Sequence, residues 1–123
     1  MSIASYIKEE ALCELESQIL QVEGIHTIHL YIDAIGHLVL SMLVVKKECR
    51  KQGIGTKIMQ MICDYADKNS LVIGLTPADR HKDNGTTSRE RLIRFYSRFG
   101  FYRNKGRNRN YRTMNAMLRW PHD

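Results

Sequence analysis

The sequence lacks several features that would place a chain of 123 residues outside the soluble globular class. It contains no apolar run near the roughly 18–20 residues that a membrane-spanning helix needs. Its first residues lack the basic and apolar regions of a secretory signal. Its three cysteines, Cys13, Cys49 and Cys63, have neither CxxC nor metal-type spacing, and its five histidines show no ligand spacing. We therefore expect a cytoplasmic protein with reduced thiols, no metal and no membrane contact.

Charge is unevenly distributed along the chain. Residues 1–45 contain one lysine against six acidic residues, although the whole chain has a formal net charge of +6. The excess of positive charge therefore lies after residue 45, which predicts an anionic ligand: a phosphate-bearing cofactor, a nucleic acid or an acidic protein. The length and the 43% apolar content predict a single globular domain over residues 1–123.

The first third of the chain predicts a helix and two strands. Residues 4–21 show apolar side chains near helical spacing, and Gly24 marks the end of that helix. The segment IHTIHLYI, residues 25–32, alternates apolar and polar side chains, whereas HLVLSMLVV, residues 37–45, is more uniformly apolar and predicts a central strand. The short connection DAIG between them predicts an antiparallel hairpin.

The rest of the chain predicts an α/β arrangement with a mixed sheet. Helical periodicity over 54–68, followed by the apolar strand LVIGL at 71–75, indicates a crossover between parallel strands. A further helix is expected to begin at Thr87, which forms a T-x-x-E capping box with Glu90, and to end near Gly100. Short strands are expected near FYR and TMNAMLRW.

The segment RKQGIGTKIMQ, residues 50–60, places two glycines where the second helix begins. It matches neither the P-loop pattern nor the dinucleotide fingerprint G-x-G-x-x-G, whose third glycine position is occupied by Ile58. A helix N-terminus with glycines and nearby lysines suits an anion, because its first N–H groups lack acceptors and carry partial positive charge. A tight turn with solvated lysines remains the alternative.

Two segments in order resemble the GNAT family of acetyl-CoA-dependent N-acetyltransferases: LSMLVVKKECRKQGIGTKIMQMICDYA and, further along, LIRFYSRFGFYRN. The resemblance implies a GNAT fold, a mixed twisted β-sheet flanked by helices, here abbreviated at the N-terminus, and acetyl-CoA as cofactor. The layout is similar to small single-domain acetyltransferases of phages and mobile elements, some of which act as anti-CRISPR proteins.

The resemblance also implies which residues hold the cofactor. In that family the motif R/Q-x-x-G-x-G/A binds the pyrophosphate through backbone amides, and the preceding strand pairs with the pantetheine arm and polarises the thioester carbonyl through a backbone N–H near Val44 or Val45. The cofactor-binding residues expected on this basis are Leu43, Val44, Val45, Arg50, Lys51, Gln52, Gly53, Ile54, Gly55 and Thr56.

Two residues are candidates for the chemistry. Tyr96 matches the tyrosine that the family places near the thioester, and a hydroxyl with a pKa near 10 suits protonation of the leaving thiolate. Its alternative role is that of a core aromatic, since it shares a stripe with Leu92 and Phe99. His29, on a strand face, is the candidate general base, with a structural role or deprotonation by solvent as alternatives. The other polar residues that could act as the base are His37, Asp79 and His81. No cysteine occupies a motif position, so direct attack in a ternary complex is expected.

The segment RNKGRNRNYR carries cations and no acidic residue, and its asparagines and glycine predict a flexible loop. Three roles stay open: a solvated loop, a grip on an acidic protein or nucleic-acid acceptor, or a contact to the adenosine phosphate of CoA. The acceptor-binding residues proposed are Arg103, Lys105, Arg107 and Arg109.

The acceptor and the class of activity also leave alternatives. The expected acceptor is a primary amine of a protein or of a nucleic-acid-linked group, in preference to a small molecule. A basic nucleic-acid-binding module and a non-catalytic CoA-binding interaction domain are the rival functions. Both a monomer and a homodimer are compatible with the sequence.

Overall fold

The computed structural model describes residues 3–49, 53–77 and 89–122, with side chains described from Leu12 onward except that of Lys47. The elements follow the predicted order and type. None of the helices in these ranges is long and apolar enough to cross a membrane. The elements are α1 (Ile3–Leu20), β1 (Ile25–Ile32), β2 (Leu38–Val45), a 3₁₀ turn (Lys47–Cys49), α2 (Ile54–Lys68), β3 (Ile73–Leu75), α3 (Arg89–Ser97), β4 (Tyr102–Arg103) and β5 (Met117–Arg119).

The strands form one five-stranded sheet in the order β1-β2-β3-β5-β4. β1 and β2 pair antiparallel, as the short DAIG connection predicts, and β2 and β3 pair parallel with α2 as the crossover. β5 pairs antiparallel with both β3 and β4. The mixed sheet flanked by helices is therefore confirmed. The expected start of the third helix at Thr87, with its capping box, lies outside the described residues, and α3 is described from Arg89.

One apolar core joins the helices to the sheet. β1 alternates between buried and exposed positions from Ile28 to Tyr31, which is the period-2 pattern of a strand with one covered face. α2 buries one stripe that includes Ile58, Met59 and Ile62, each with no exposed surface. Burying an aliphatic side chain of this size contributes about 1.5–3 kcal/mol. This core fixes α2, and therefore its glycine-bearing first turn, against the sheet.

β2 and β3 share only a short stretch of pairing. β2 pairs with β1 along its whole length, from Leu38 to Val45, but its parallel register with β3 covers only Leu38–Leu40. The register with β1 shifts where His29 pairs with Met42 and Leu30 pairs with Leu40, so Ser41 is the extra residue of a β-bulge. A bulge bends its strand and increases the local twist. β2 consequently leaves β3 at Ser41, and its edge has no strand partner there in the described part of the chain.

A buried arginine in β5 forms hydrogen bonds to α2 and to the residues after α3. Arg119 is 4% exposed. Its guanidinium donates two hydrogen bonds to the Asp67 carboxylate, at 2.8 and 3.1 Å, and its Nε donates to the Phe99 carbonyl at 2.6 Å. The His122 backbone N–H also donates to Asp67, at 2.8 Å. Through these bonds β5, the last turn of α2 and the residues after α3 are held together.

We predict that Arg119→Met lowers the free energy of unfolding by about 3 kcal/mol, because one partner of a largely buried ion pair is removed. The hydrogen bond from Arg119 lowers the pKa of Asp67 below its ordinary 3.8. The stability that the pair contributes is therefore present above pH 3.8 and is lost as the pH falls through the lower folded pKa.

Urea unfolding of both proteins at a series of pH values measures this loss. The difference between wild type and Arg119→Met is expected to be largest near neutrality and to shrink in acid. Arg94→Met, at an exposed position on α3, is the matched control and should unfold as the wild type does. An Arg119→Met difference that stays constant down to pH 2 would contradict an ion-pair contribution.

Candidate functional site

The first turn of α2 presents unpaired backbone donors to solvent. Gly53 is the N-cap, in the left-handed region at φ 76° and ψ 11°, and no side chain caps the helix. Its carbonyl accepts the first helical hydrogen bond, from the Lys57 N–H at 3.0 Å. The N–H groups of Ile54, Gly55 and Thr56 precede that bond and have no helical acceptor. Gly53 is required here by its dihedral angles, since other residues rarely adopt them.

The second glycine of the motif is not required by the fold. Gly55 is absent from the glycines with positive φ, and a Cβ there would lie 3.5 Å from Phe95 Cζ, an ordinary contact. Neither backbone strain nor packing therefore explains the missing side chain. Its absence leaves the donors of the helix N-terminus open to close approach by an anion. This is the arrangement that a pyrophosphate needs.

Gly24 holds the segment between β2 and α2 close to the sheet. A Cβ on Gly24 would overlap the Ile54 side chain and lie 2.9 Å from Cys49 Cβ. Its carbonyl also accepts a hydrogen bond from the Lys46 N–H at 2.7 Å. The local sequence pattern indicates Gly24 only as the end of a helix. Its contact with a segment about 25 residues away leaves no signal in local sequence pattern.

The open edge of β2 lies directly before this segment. Leu43, Val44 and Val45 are half-buried and follow the bulge at Ser41, so they lie where β2 no longer pairs with β3. Backbone N–H and C=O groups along such an edge can pair with an extended ligand as a further strand would. Three predicted cofactor-binding residues that come next, Arg50, Lys51 and Gln52, lie outside the described residues.

Tyr96 follows Phe95, the residue of α3 that approaches the first turn of α2. It is 8% exposed, and its ring contacts Phe95 and Phe101 at centroid distances of 5.2 and 5.8 Å. Tyr96 is therefore a core aromatic, which is the alternative role that the sequence allows. Desolvation by burial raises its pKa above 10.0. Within the described residues the Tyr96 hydroxyl has no hydrogen-bond partner. The only fully buried side-chain nitrogen or oxygen without a partner in these residues is His37 Nδ1, so the Tyr96 hydroxyl is accessible to solvent. The contact of Phe95 with Gly55 brings α3 beside the glycine turn.

His29, the candidate base, is exposed on the face of β1 opposite the core. Its ring centroid lies 5.9 Å from that of Tyr31, and its register partner is Met42, the first residue of β2 after the bulge. One strand spacing of about 5 Å separates β1 from β2, so His29 lies on the far side of β2 from the open edge. Two further polar candidates of the sequence, Asp79 and His81, fall outside the described residues.

The basic segment after β4 is organised, which corrects the expectation of a flexible loop. Asn104 is 8% exposed. Its side chain accepts a hydrogen bond from the Asn110 N–H at 2.8 Å and donates to the carbonyls of Asn110 and Asn115 at 3.1 and 3.3 Å. Of the predicted acceptor-binding residues, Arg103, Lys105 and Arg109 line one open recess of about 220 Å³, and Arg107 does not.

Comparisons with known proteins identify the family and the fold. A family model described as an acetyltransferase (GNAT) domain matches residues 9–103. Among solved structures, the anti-CRISPR protein AcrVA5 aligns with a TM-score of 0.59 and 25% identity over 81% of this chain and 93% of its own. Naa50 of Arabidopsis thaliana, in complex with the bisubstrate analogue CoA-Ac-MVNAL, aligns with a TM-score of 0.41 and 21% identity over 76% of this chain and 59% of its own.

No curated protein matches the sequence. The family model alone nevertheless spans most of the chain, from within α1 to the end of β4. It confirms the resemblance found in the sequence and, with the AcrVA5 alignment, the predicted fold class. The chain belongs to the GNAT acetyltransferase family, and its cofactor is acetyl-CoA.

Proposed function

We propose that the protein transfers the acetyl group of acetyl-CoA to a primary amine, by direct attack of the amine in a ternary complex. The observation that carries the proposal is the junction of two features: an open edge of β2 after Ser41, and the uncapped, glycine-bearing first turn of α2 that follows it along the chain. An extended arm ending in a pyrophosphate is the ligand shape that uses both at once.

In this proposal the backbone of Leu43, Val44 and Val45 pairs with the amides of the pantetheine arm, and the first-turn amides of α2 from Gly53 to Thr56 hold the pyrophosphate. The side chains of Arg50, Lys51 and Gln52 belong to the same set through the family motif. The cofactor supplies an acetyl group activated as a thioester. A backbone N–H of Val44 or Val45, fixed in the strand, donates to the carbonyl oxygen and stabilises the charge that develops there.

Tyr96 is the proposed general acid. Burial raises its pKa above 10.0, so the hydroxyl holds its proton throughout the neutral range. The same hydroxyl has no protein partner among the described residues, which leaves it available as a donor to the departing sulfur. Positioned proton donors contribute about 10²–10⁴-fold to rate.

The amine must be neutral when it attacks. His29 is the proposed base, acting through water across β2, and deprotonation by solvent is the alternative. A covalent acetyl-cysteine intermediate is disfavoured at Cys63, because burial within α2 raises the pKa of that thiol to about 11 and keeps it protonated.

We infer a macromolecular acceptor in the cytoplasm: a protein lysine or N-terminus, or an amine linked to nucleic acid. The basic recess lined by Arg103, Lys105 and Arg109 is open, as a large acceptor requires. The chain resembles a protein named as an anti-CRISPR protein over most of the length of both chains. This likeness supports a macromolecular target over a small molecule.

The first prediction concerns Gly55→Asp. Among the described residues its new Cβ meets only Phe95, at 3.5 Å, and a carboxylate in the first turn interacts favourably with the helix dipole, so the free energy of unfolding should stay within about 0.5 kcal/mol of wild type or rise. Affinity for acetyl-CoA should fall at least tenfold, because the carboxylate lies in the approach to the helix donors and repels the pyrophosphate. Thermal unfolding and calorimetric titration with acetyl-CoA measure the two effects separately.

Lys68→Ala, in the exposed last turn of the same helix, is the control and should bind acetyl-CoA as the wild type does. Wild-type affinity in Gly55→Asp would show that the pyrophosphate does not bind at the first turn of α2.

A second prediction concerns Tyr96→Phe, which should lower kcat at least tenfold with little change in KM, because only proton donation is lost. The wild-type rate should fall as the pH rises above 10, where the acid form of Tyr96 is lost, and the variant should lack this fall. Release of CoA from acetyl-CoA is followed from pH 6 to 11, with poly-L-lysine and with peptides bearing free N-termini as acceptors.

Tyr65→Phe is the matched control, since Tyr65 is a partly buried tyrosine of α2 whose pKa is also raised by burial. It should leave kcat unchanged. Equal rates and equal pH profiles for Tyr96→Phe and wild type would argue against the acid role. Tight acetyl-CoA binding without CoA release on any acceptor would favour the non-catalytic interaction domain.

A further inference from the structure

The open recess beside β4 concentrates positive charge without neutralising it. It lies between the first turn of α3, β4 and the loop at 104–116, and its cations are Arg89, Arg103, Lys105 and Arg109. Among the described residues, no carboxylate lines it. Within the described residues none of the four cations forms an ion pair, whereas the buried Arg119 does. Four unneutralised cations around one recess predict an anionic ligand with several charges.

The frame that carries these cations is fixed. The Asn104 amide bonds across the loop to Asn110 and Asn115, and the Ala116 N–H donates to Thr76 Oγ1 at 3.1 Å, directly after β3. Arg103 lies in β4, and Arg89 lies in α3. A backbone held in this way loses little conformational freedom on binding, which strengthens binding of a ligand whose charges match the spacing of the cations.

An exposed aromatic ring adjoins the cations. Tyr111 is 79% exposed, and the guanidinium carbon of Arg109 lies 5.3 Å from its ring centroid. Met114, which lines the recess, is 88% exposed. A flat ring beside arginines is the surface on which unpaired nucleobases stack, and an acidic peptide offers no flat ring to match it.

We propose that this recess binds single-stranded polynucleotide, with its phosphates on Arg89, Arg103, Lys105 and Arg109 and a base on Tyr111. Arg89 precedes Tyr96 by seven residues in α3, a distance of about 10 Å along the helix axis. The bound strand therefore lies beside the proposed acetylation site. The inference that the acceptor amine is carried on or next to a nucleic acid rests on the proposed function, whereas the binding itself does not.

The experiment is a fluorescence-anisotropy titration of the full chain, without acetyl-CoA, with labelled oligouridylate and oligothymidylate of about 12 nucleotides. Four phosphate contacts on a single strand predict a slope of log affinity against log salt of about −2.8, which is about a 50-fold loss between 50 and 200 mM NaCl. A duplex of the same length should bind more weakly, because its bases cannot reach Tyr111. The RNA and DNA arms show which strand is preferred.

Charge-removing variants locate the contact. Arg103→Gln should remove one phosphate contact and reduce the loss over the same salt range to about 18-fold. Arg94→Gln removes the same charge from an exposed position of α3 outside the recess and should behave as the wild type. Equal effects of the two variants, or no effect of Arg103→Gln, would overturn the site.

Ring-changing variants test the base contact. Tyr111→Ala should weaken binding about tenfold, and Tyr111→Phe, which keeps the ring, should bind as the wild type does. No loss in Tyr111→Ala, together with displacement of the oligonucleotide by a polyglutamate peptide, would assign the recess to an acidic protein. Displacement by acetyl-CoA would assign it to the cofactor. Loss of the oligonucleotide site to an acidic protein leaves acetyl-CoA binding at Gly55 untouched, so this proposal can fail without the proposed function failing.

Discussion

The parallel pairing of β2 with β3 ends after three residues, and the proposed function depends on that early end. The bulge at Ser41 bends β2 away after Leu40 pairs with Leu75. Continued pairing would satisfy the edge of Leu43 to Val45 with β3 and leave no backbone groups for a ligand. Because β2 runs into the segment that leads to α2, the same divergence directs the open edge toward the glycine turn. In the proposed function, this local irregularity of the sheet opens the edge on which the cofactor binds.

Two contacts between residues far apart in the sequence fix the positions of the elements around this opening. Gly24 permits close contact between the start of β1 and the Cys49 and Ile54 side chains, which fixes the beginning of α2. Arg119 joins Asp67 at the other end of α2 to the Phe99 carbonyl after α3, so the two helices are tied through β5. α2 is therefore held at both ends: Gly24 contacts its first residue, Ile54, and Arg119 binds Asp67 in its last turn.

Local pattern predicted the elements but not their long-range contacts. The periodicity of residues 54–68 and the alternation of 25–32 specify their secondary structure, because each pattern records which faces are buried. The motif spacing likewise predicted the family. The bulge at Ser41 and the contacts of Gly24 depend on partners far along the chain, which a single sequence does not show. The order within the 104–116 loop was missed for the same reason: Asn104 is a turn-type residue locally, and only its burial makes it the centre of a hydrogen-bonded loop.

The most direct test of the account is backbone amide hydrogen exchange, resolved by NMR, with and without acetyl-CoA. If the opening between β2 and β3 holds the cofactor, exchange should slow at amides of Leu43 to Val45 and of Ile54 to Thr56, while the amides of residues 104–112 are unchanged. Slowing confined to residues 104–112, or no slowing along β2, would contradict the account, because the cofactor would then bind without using the edge that the bulge exposes.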